Sequence, residues 1–211
     1  MKYGMVIDLK KCIGCYGCQV LCRGENATPP GGAWSRVLFY ELGKYPDIKK
    51  MPLPVLCMHC EKPACVDVCP TAASQKRADG IVTIDSKKCT GCLNCLLVCP
   101  YGARHMVPKK SEYFPGQGQT PYERASKRKH KPGTVEKCNF CLPRVEKGLN
   151  PVCVGNCMAK ARYFGDLDDP DSEVSMLIRE RKSFQVEPAV KPGAGKKPEL
   201  HPSVYYLLPS R

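Results

Sequence analysis

The distribution of cysteine constrains this chain more than any other feature. The sequence has 211 residues, and its 16 cysteines fall into four groups of four. Such an internal repeat predicts repeated units that are organised by metal or by disulfides rather than by a large apolar core. We call these groups quartets one to four: Cys12, Cys15, Cys18 and Cys22; Cys57, Cys60, Cys65 and Cys69; Cys89, Cys92, Cys95 and Cys99; and Cys138, Cys141, Cys153 and Cys157.

The spacing of the cysteines favours iron–sulfur clusters over disulfides and over zinc sites. Disulfide frameworks are typical of small secreted chains, but residues 1–10 lack the apolar segment of a signal peptide. Pairs of Cys-x2-Cys also bind zinc. However, quartet three places three cysteines in one loop at intervals of two and adds a fourth just before Pro100. That run is typical of [4Fe–4S] ferredoxins.

The same spacing predicts how the quartets cooperate. Three closely spaced thiolates reach one cluster, whereas the fourth begins a short helix and reaches a neighbouring cluster, so two quartets must exchange ligands. Quartets two and three flank a predicted turn and strand at 79–84, and quartets one and four adjoin predicted strands at 4–8 and 161–166. We expect an α+β fold of two ferredoxin-like [4Fe–4S] modules with short strands and helices, one inserted in the other.

The 20 prolines and 18 glycines predict a loop-rich chain. A further strand is expected at 36–42, and a helix after Ser172 that continues to about residue 182. We expect Trp34 to pack in the core, His59 to lie in a solvated loop or to donate to a cluster, and the apolar end of the tail to dock on this subunit or on a partner. The expected boundaries are 1–56 for the first part of the outer module, 57–105 for the inner module, 106–134 for a basic insertion loop, 135–165 for the second part of the outer module, and 166–211 for a C-terminal helix and docking tail.

The basic charge of the chain suggests a nucleic-acid partner, but two considerations argue against one. The formal net charge is +13, with a basic run at 124–131. Basic runs are more often solvated or partner-facing loops, and four oxidised clusters with their thiolates would lower the net charge to about +5. We therefore expect no nucleic-acid partner. The longest uncharged apolar stretch, 51–58, is too short to span a bilayer, so neither a signal peptide nor a transmembrane segment is expected.

Several motifs around the cysteines match those of a known family. They are Met-Val-Ile-Asp at 5–8 before Cys-Ile-Gly-Cys at 12–15, Cys-Met-His-Cys-Glu-Lys-Pro-Ala-Cys at 57–65, Lys-Cys-Asn-Phe-Cys at 137–141, and the segments 164–170 and 202–206. With these motifs the chain resembles the iron–sulfur electron-transfer (beta) subunits of the molybdopterin oxidoreductase, dimethyl sulfoxide reductase-like, family. It is similar to the small subunits of polysulfide, thiosulfate, tetrathionate and arsenate reductases. Arg23 and Met158 stand where proline would complete the simplest pattern, but cluster binding does not need that proline.

The resemblance implies four [4Fe–4S] clusters held by cysteine alone. Cys12, Cys15, Cys18 and Cys157 would hold the first cluster; Cys22, Cys138, Cys141 and Cys153 the second; Cys69, Cys89, Cys92 and Cys95 the third; and Cys57, Cys60, Cys65 and Cys99 the fourth. It further implies that the first cluster faces a catalytic subunit and the fourth an external donor or acceptor.

The resemblance also implies the role of the chain. It would be a non-catalytic subunit that relays single electrons between a molybdenum or tungsten pterin catalytic large subunit and an external or membrane redox partner, either a membrane anchor or a soluble electron carrier. No catalytic residue and no direct substrate are expected. The complex would lie at the periplasmic face after co-export with a partner, or in the cytoplasm. The alternatives are a polyferredoxin subunit of a formate dehydrogenase, hydrogenase or aldehyde oxidoreductase complex and, more remotely, a basic zinc-binding nucleic-acid module.

Overall fold

The computed structural model describes residues 1–109, 112–126, 130–187 and 199–208. Part of the predicted basic run (127–129) and part of the C-terminal tail (188–198 and 209–211) lie outside the described residues. Within them the fold is mixed α and β, with short elements. The strands are β1 (Tyr3–Asp8), β2 (Ser35–Leu42), β3 (Lys49–Leu56), β4 (Ser74–Lys76), β5 (Val82–Ile84), β6 (Arg104–Met106), β7 (Val135–Lys137), β8 (Arg162–Asp166), β9 (Ser183–Phe184) and β10 (Val204–Leu207). The helices are α1 (Gly17–Asn26), α2 (Ala64–Asp67), α3 (Asn94–Leu97), α4 (Pro121–Ala125), α5 (Leu142–Val145), α6 (Val152–Gly155) and α7 (Glu173–Glu180).

The main sheet joins the two ends of the chain. Its strand order is β8-β1-β10-β9. β1 pairs antiparallel with β8 and parallel with β10. The strands predicted next to quartets one and four are therefore confirmed, and their pairing brings those two quartets together across most of the sequence.

β1 is buried on both faces, which explains its unbroken apolar run. Met5, Val6 and Ile7 are each 0% exposed. Met5 and Ile7 belong to the main core, whereas Val6 faces a second cluster of buried residues on the side of α7. Strands covered on both faces carry near-continuous apolar sequences rather than alternating ones.

The C-terminal tail docks on its own chain. Tyr206 of β10 is fully buried, and its hydroxyl donates to the backbone oxygen of Pro54 at 2.8 Å. The helix predicted before the tail is present as α7, although it ends at residue 180 rather than 182. Ser172 caps it by accepting a hydrogen bond from the Ser175 amide at 3.3 Å.

Three hairpin-like strand pairs complete the fold. They are β2–β3, β4–β5 and β6–β7, all antiparallel. The strands predicted at 36–42 and within 79–84 correspond to β2 and β5. Trp34, just before β2, is 3% exposed and packs in the main core, as expected.

The segment expected to be a basic loop contains more structure than predicted. β6 and β7 pair where it begins and ends, with Met106 opposite Val135. Between them, Thr120 and Glu123 form a reciprocal capping box at the start of α4. The Thr-x-x-Glu signature of this cap is visible in the sequence. None of the helices in the described ranges is long and apolar enough to cross a membrane.

Candidate metal centres

Three cavities each have four cysteines in their walls. Four thiol groups around one cavity are the ligand set of a four-iron cluster. The first site comprises Cys12, Cys15, Cys18 and Cys157; the second Cys22, Cys138, Cys141 and Cys153; and the third Cys69, Cys89, Cys92 and Cys95.

The remaining four cysteines also lie together, and we call them the fourth site. Burial raises the pKa of the Cys60 thiol to about 12, and the charges of Cys57, Cys65 and Cys99 add to this rise. Charges act strongly only over short distances in protein. These four cysteines are therefore near one another, and the expected assignment of all 16 cysteines to four clusters stays a prediction.

Short helices direct neighbouring cysteines of one quartet to two different sites. In every quartet the third and fourth cysteines are four residues apart, which corresponds to a rise of about 6 Å along a helix. The third cysteine always lies within a helix, and the last follows it by about one turn. The third cysteines are Cys18 in α1, Cys65 in α2, Cys95 in α3 and Cys153 in α6.

Two glycines allow the tight loops between ligands. Gly14 and Gly91 each lie within a Cys-x2-Cys segment at φ of +69° and +74°, a region that side chains rarely adopt. A Cβ at Gly91 would also stand 2.0 Å from the backbone oxygen of Gly133. These loops consequently require glycine for both conformation and space.

The four sites form a row with exposed ends. Cys15 of the first site and Cys92 of the third are exposed, whereas the second site is almost wholly buried. The charge of Cys57 acts on Cys138, which places the fourth site beside the second. Since buried arginines described below link the first site to the second and the third to the fourth, the row runs first, second, fourth, third. The fourth site thus lies between the second and the third in this row, whereas the expectation above placed it at the end that meets an external donor or acceptor.

Burial dominates the electrostatics of the thiols. It raises the pKa of Cys22 to about 12 and that of Cys138 well above the ordinary value. Burial also opposes ionisation of Cys69, but hydrogen bonds from the Ser74 amide and from Thr71 outweigh it and lower the pKa. Because iron binds the thiolate form, most of these sites favour ionised cysteine only when a cation shares the cavity.

Two buried arginines stand beside the thiols, and neither was identified from the sequence. Arg162 donates to the sulfurs of Cys18 and Cys153, and Arg104 to that of Cys65. A repeat signal points to them, because each arginine follows an alanine and lies five residues after the last cysteine of its quartet.

His59 is a buried structural residue rather than a solvated one. It is 1% exposed and stacks on Phe140 with ring centroids 3.7 Å apart. Its Nδ1 accepts a hydrogen bond from the Val82 amide at 3.0 Å. Burial, with the nearby charges of Lys137 and Arg104, holds the pKa of this imidazole well below its usual range. The expectation of a solvated loop histidine is therefore wrong.

Among the residues that the structure describes, no group of three or more His, Cys, Asp or Glu side chains is arranged to hold a single metal ion. In a [4Fe–4S] centre the four thiolates bind four different irons, whereas a tetrahedral zinc site gathers its four ligands on one ion.

Comparison with known proteins agrees with this geometry. The 4Fe-4S dicluster domain family matches residues 48–115 and 107–167. A Halobacterium salinarum protein assigned as the iron-sulfur component of a dimethyl sulfoxide reductase is 44% identical over 198 residues, covering 88% of this chain and 74% of that protein. A selenate reductase component of Mesobacillus selenatarsenatis is 40% identical over 98% of this chain and 72% of its own length.

A third relative matches over almost its full length. The arsenate respiratory reductase iron-sulfur subunit of a Shewanella species is 38% identical, and the match covers 98% of this chain and 96% of that protein. These similarities favour the iron–sulfur interpretation over both the zinc alternative and the other electron-transfer complexes considered.

Proposed function

Because the chain belongs to the family of iron–sulfur electron-transfer subunits of reductase complexes, we propose that it relays single electrons between a molybdenum or tungsten pterin catalytic subunit and a second redox partner. The second partner is either a membrane anchor or a soluble electron carrier. The observation that carries this proposal is the row of four cysteine sites, in which each end site has an exposed cysteine whereas the second site is buried.

Four [4Fe–4S] clusters are proposed, one in each site. When bound, they supply the one-electron chemistry, which is outside the repertoire of protein side chains. The first, second, third and fourth sites, with the cysteines named above, hold one cluster each. The cysteines ionise, position the iron and exclude water from the interior of the row.

Strand and helix contacts support the domain arrangement that we propose. Residues 1–56 and 135–165 form the outer module, since β1 pairs with β8 and α1 packs on α6. Residues 57–105 form the inner module, which is held by the β4–β5 pair and by packing of α2 on α3. In this arrangement 106–134 is the insertion, and the segment 166–211 contributes α7, which packs on β8 and β1, and β10, which pairs with β1.

The two ends of the row are proposed as the partner surfaces. Ile13, Tyr16 and Met158 are exposed apolar residues that adjoin cysteines of the first site. We assign this end to the catalytic subunit. At the third site, Cys92 is exposed and Leu97 of α3 is 78% exposed. This end is assigned to the second redox partner.

Purification of the chain with its natural partners tests the proposal. We expect a large subunit that contains molybdenum or tungsten, together with about sixteen irons in this chain. After rapid mixing of the complex with a reductant, the irons of this chain and the metal of the large subunit should be reduced one after the other, in either order. A large subunit without molybdenum or tungsten, or a colourless chain with zinc, would refute the proposal.

A further inference from the structure

The two buried arginines occupy equivalent places in the two halves of the molecule. Arg104 is the first residue of β6 and Arg162 the first residue of β8. They are only 3% and 4% exposed. Fully buried arginine is rare unless its charge is compensated, so both positions need an explanation.

Arg162 contacts cysteines of two different sites. Its Nη2 donates to the sulfur of Cys18 at 3.2 Å, and its Nη1 lies 3.6 Å from that of Cys153. Nη2 also stands 3.4 Å from the hydroxyl of buried Ser35, and Nη1 3.8 Å from the sulfur of Met5. One guanidinium thus bridges the first and second sites.

Arg104 repeats this arrangement in the other half. Its Nη2 donates to the sulfur of Cys65 at 2.8 Å and its Nη1 to the hydroxyl of buried Ser74 at 2.7 Å. Arg104 also lies in the wall of the third site, together with Cys95. This guanidinium therefore bridges the fourth and third sites, and again a buried serine orients it.

The thiolates are the natural counterions of these arginines. Among the described ion pairs, neither guanidinium contacts a carboxylate. A permanent cation in a dry interior stabilises the more negative of two states of a neighbouring group. For a cluster that gains one electron, that state is the reduced one.

We propose that Arg104 and Arg162 each set the reduction potentials of two clusters at once, the pair on either side of the guanidinium. This inference rests on the proposed function, because it requires clusters in the four sites. Each transfer moves one electron: one site is oxidised by one electron as its neighbour is reduced by one. No bond forms or breaks, no proton moves, and the arginine keeps its charge throughout.

The shared cation has a second consequence for the relay. Since one guanidinium faces both members of a pair, it raises both potentials together and adds little to the difference between them. It therefore favours reduction of the pair without adding an uphill step between its two members. The two arginines are positioning residues for electron transfer rather than catalytic residues.

Redox titration of the iron-loaded complex, followed by EPR, tests this inference. In Arg162→Gln we expect two of the four EPR signals to move to lower potential. At a fixed potential, the ratio of reduced to oxidised cluster should fall at least tenfold. A tenfold fall corresponds to a shift of about 59 mV for a one-electron couple. In Arg104→Gln the other two signals should move. Arg77→Gln is the matched control, because Arg77 is partly exposed and pairs with carboxylates of Asp79 and Glu146.

The lysine variants keep the test decisive if glutamine disrupts assembly. Lysine retains the charge but is a point donor that cannot span two sulfurs as a planar guanidinium does. We expect Arg162→Lys and Arg104→Lys to keep their clusters and to shift one member of each pair more than the other. Unchanged potentials in variants that retain full iron would overturn the inference. Loss of the clusters in the lysine variants, in addition to the glutamine variants, would also overturn it. An unsubstituted chain without iron would instead refute the proposed function.

Discussion

Cys153 and Cys157 offer a direct test of ligand exchange between quartets. They are four residues apart in quartet four, yet Cys153 lies in the wall of the second site and Cys157 in the wall of the first. Replacing either by serine removes one of four thiol ligands from one site. We therefore expect the two variants to damage different clusters, although their positions are almost adjacent in sequence.

The structure sets the size of the effect. Four of the 16 cysteines line each site, so loss of one whole cluster removes about one quarter of the iron, and loss of a single iron from a cluster removes about one sixteenth. Cys157→Ser should alter the EPR signal of the cluster that Cys12→Ser also alters. Cys153→Ser should share its altered signal with Cys22→Ser instead.

Iron analysis and EPR of the reduced variants provide the measurement. Met158→Ser is the matched control, because Met158 follows Cys157 directly but is 81% exposed; it should retain all of its iron. If Cys153→Ser and Cys157→Ser altered the same signal, each quartet would complete its own cluster and the reasoning from cavity walls would be refuted.

Gly91→Ala would place a Cβ 2.0 Å from a backbone oxygen at positive φ, so we expect selective loss of iron from the third site; full iron content would contradict this. Tyr206→Phe removes a buried hydroxyl that donates to Pro54 and should lower the free energy of unfolding by about 1 to 2 kcal/mol in chemical denaturation. Burial opposes ionisation of Asp8, but its bonds with Arg181 prevail and lower its pKa. Because the folded pKa is depressed, this stabilisation is present above the ordinary value of about 3.9 and is lost as the pH falls through the folded pKa. Asp8→Asn should cost about 2 kcal/mol at neutral pH and weaken the fall of stability with acid; if the stability of the variant fell with acid as steeply as that of the parent chain, the Asp8–Arg181 pair would not be its cause. Removal of iron by a chelator should unfold most of the chain, because six cysteines are among the buried residues that form its core; a well-dispersed NMR spectrum of the iron-free chain would contradict this.

The sharing of ligands between quartets was predictable from short-range geometry, whereas the full set of ligands was implied only by the family resemblance. Ligands separated by two residues must share a loop, and a ligand one helical turn farther on must point away from it. The strands next to the quartets were predictable for a similar reason, since unbroken apolar runs such as residues 4–7 favour a strand that is covered on both faces.

The order of the sites was not predictable from the same spacing. It depends on contacts between the modules, such as the proximity of Cys57 to Cys138 and the stacking of His59 on Phe140. These residues are far apart in the chain, and nothing in their local sequence indicates that they meet. His59 is buried for this reason, although its neighbours are typical of a surface loop.

Arg104 and Arg162 show most clearly the difference between what the local sequence predicts and what depends on contacts between distant segments. In composition they are two of 33 basic residues, and basic residues lie at the surface unless a partner compensates their charge. Sequence by itself indicated that this chain binds iron–sulfur clusters through cysteine, and which cysteines share one loop. Only the tertiary structure decided that the centres form a row with two exposed ends and that one buried cation bridges each pair, because the free energy of a charge depends on the distant segments that exclude water around it.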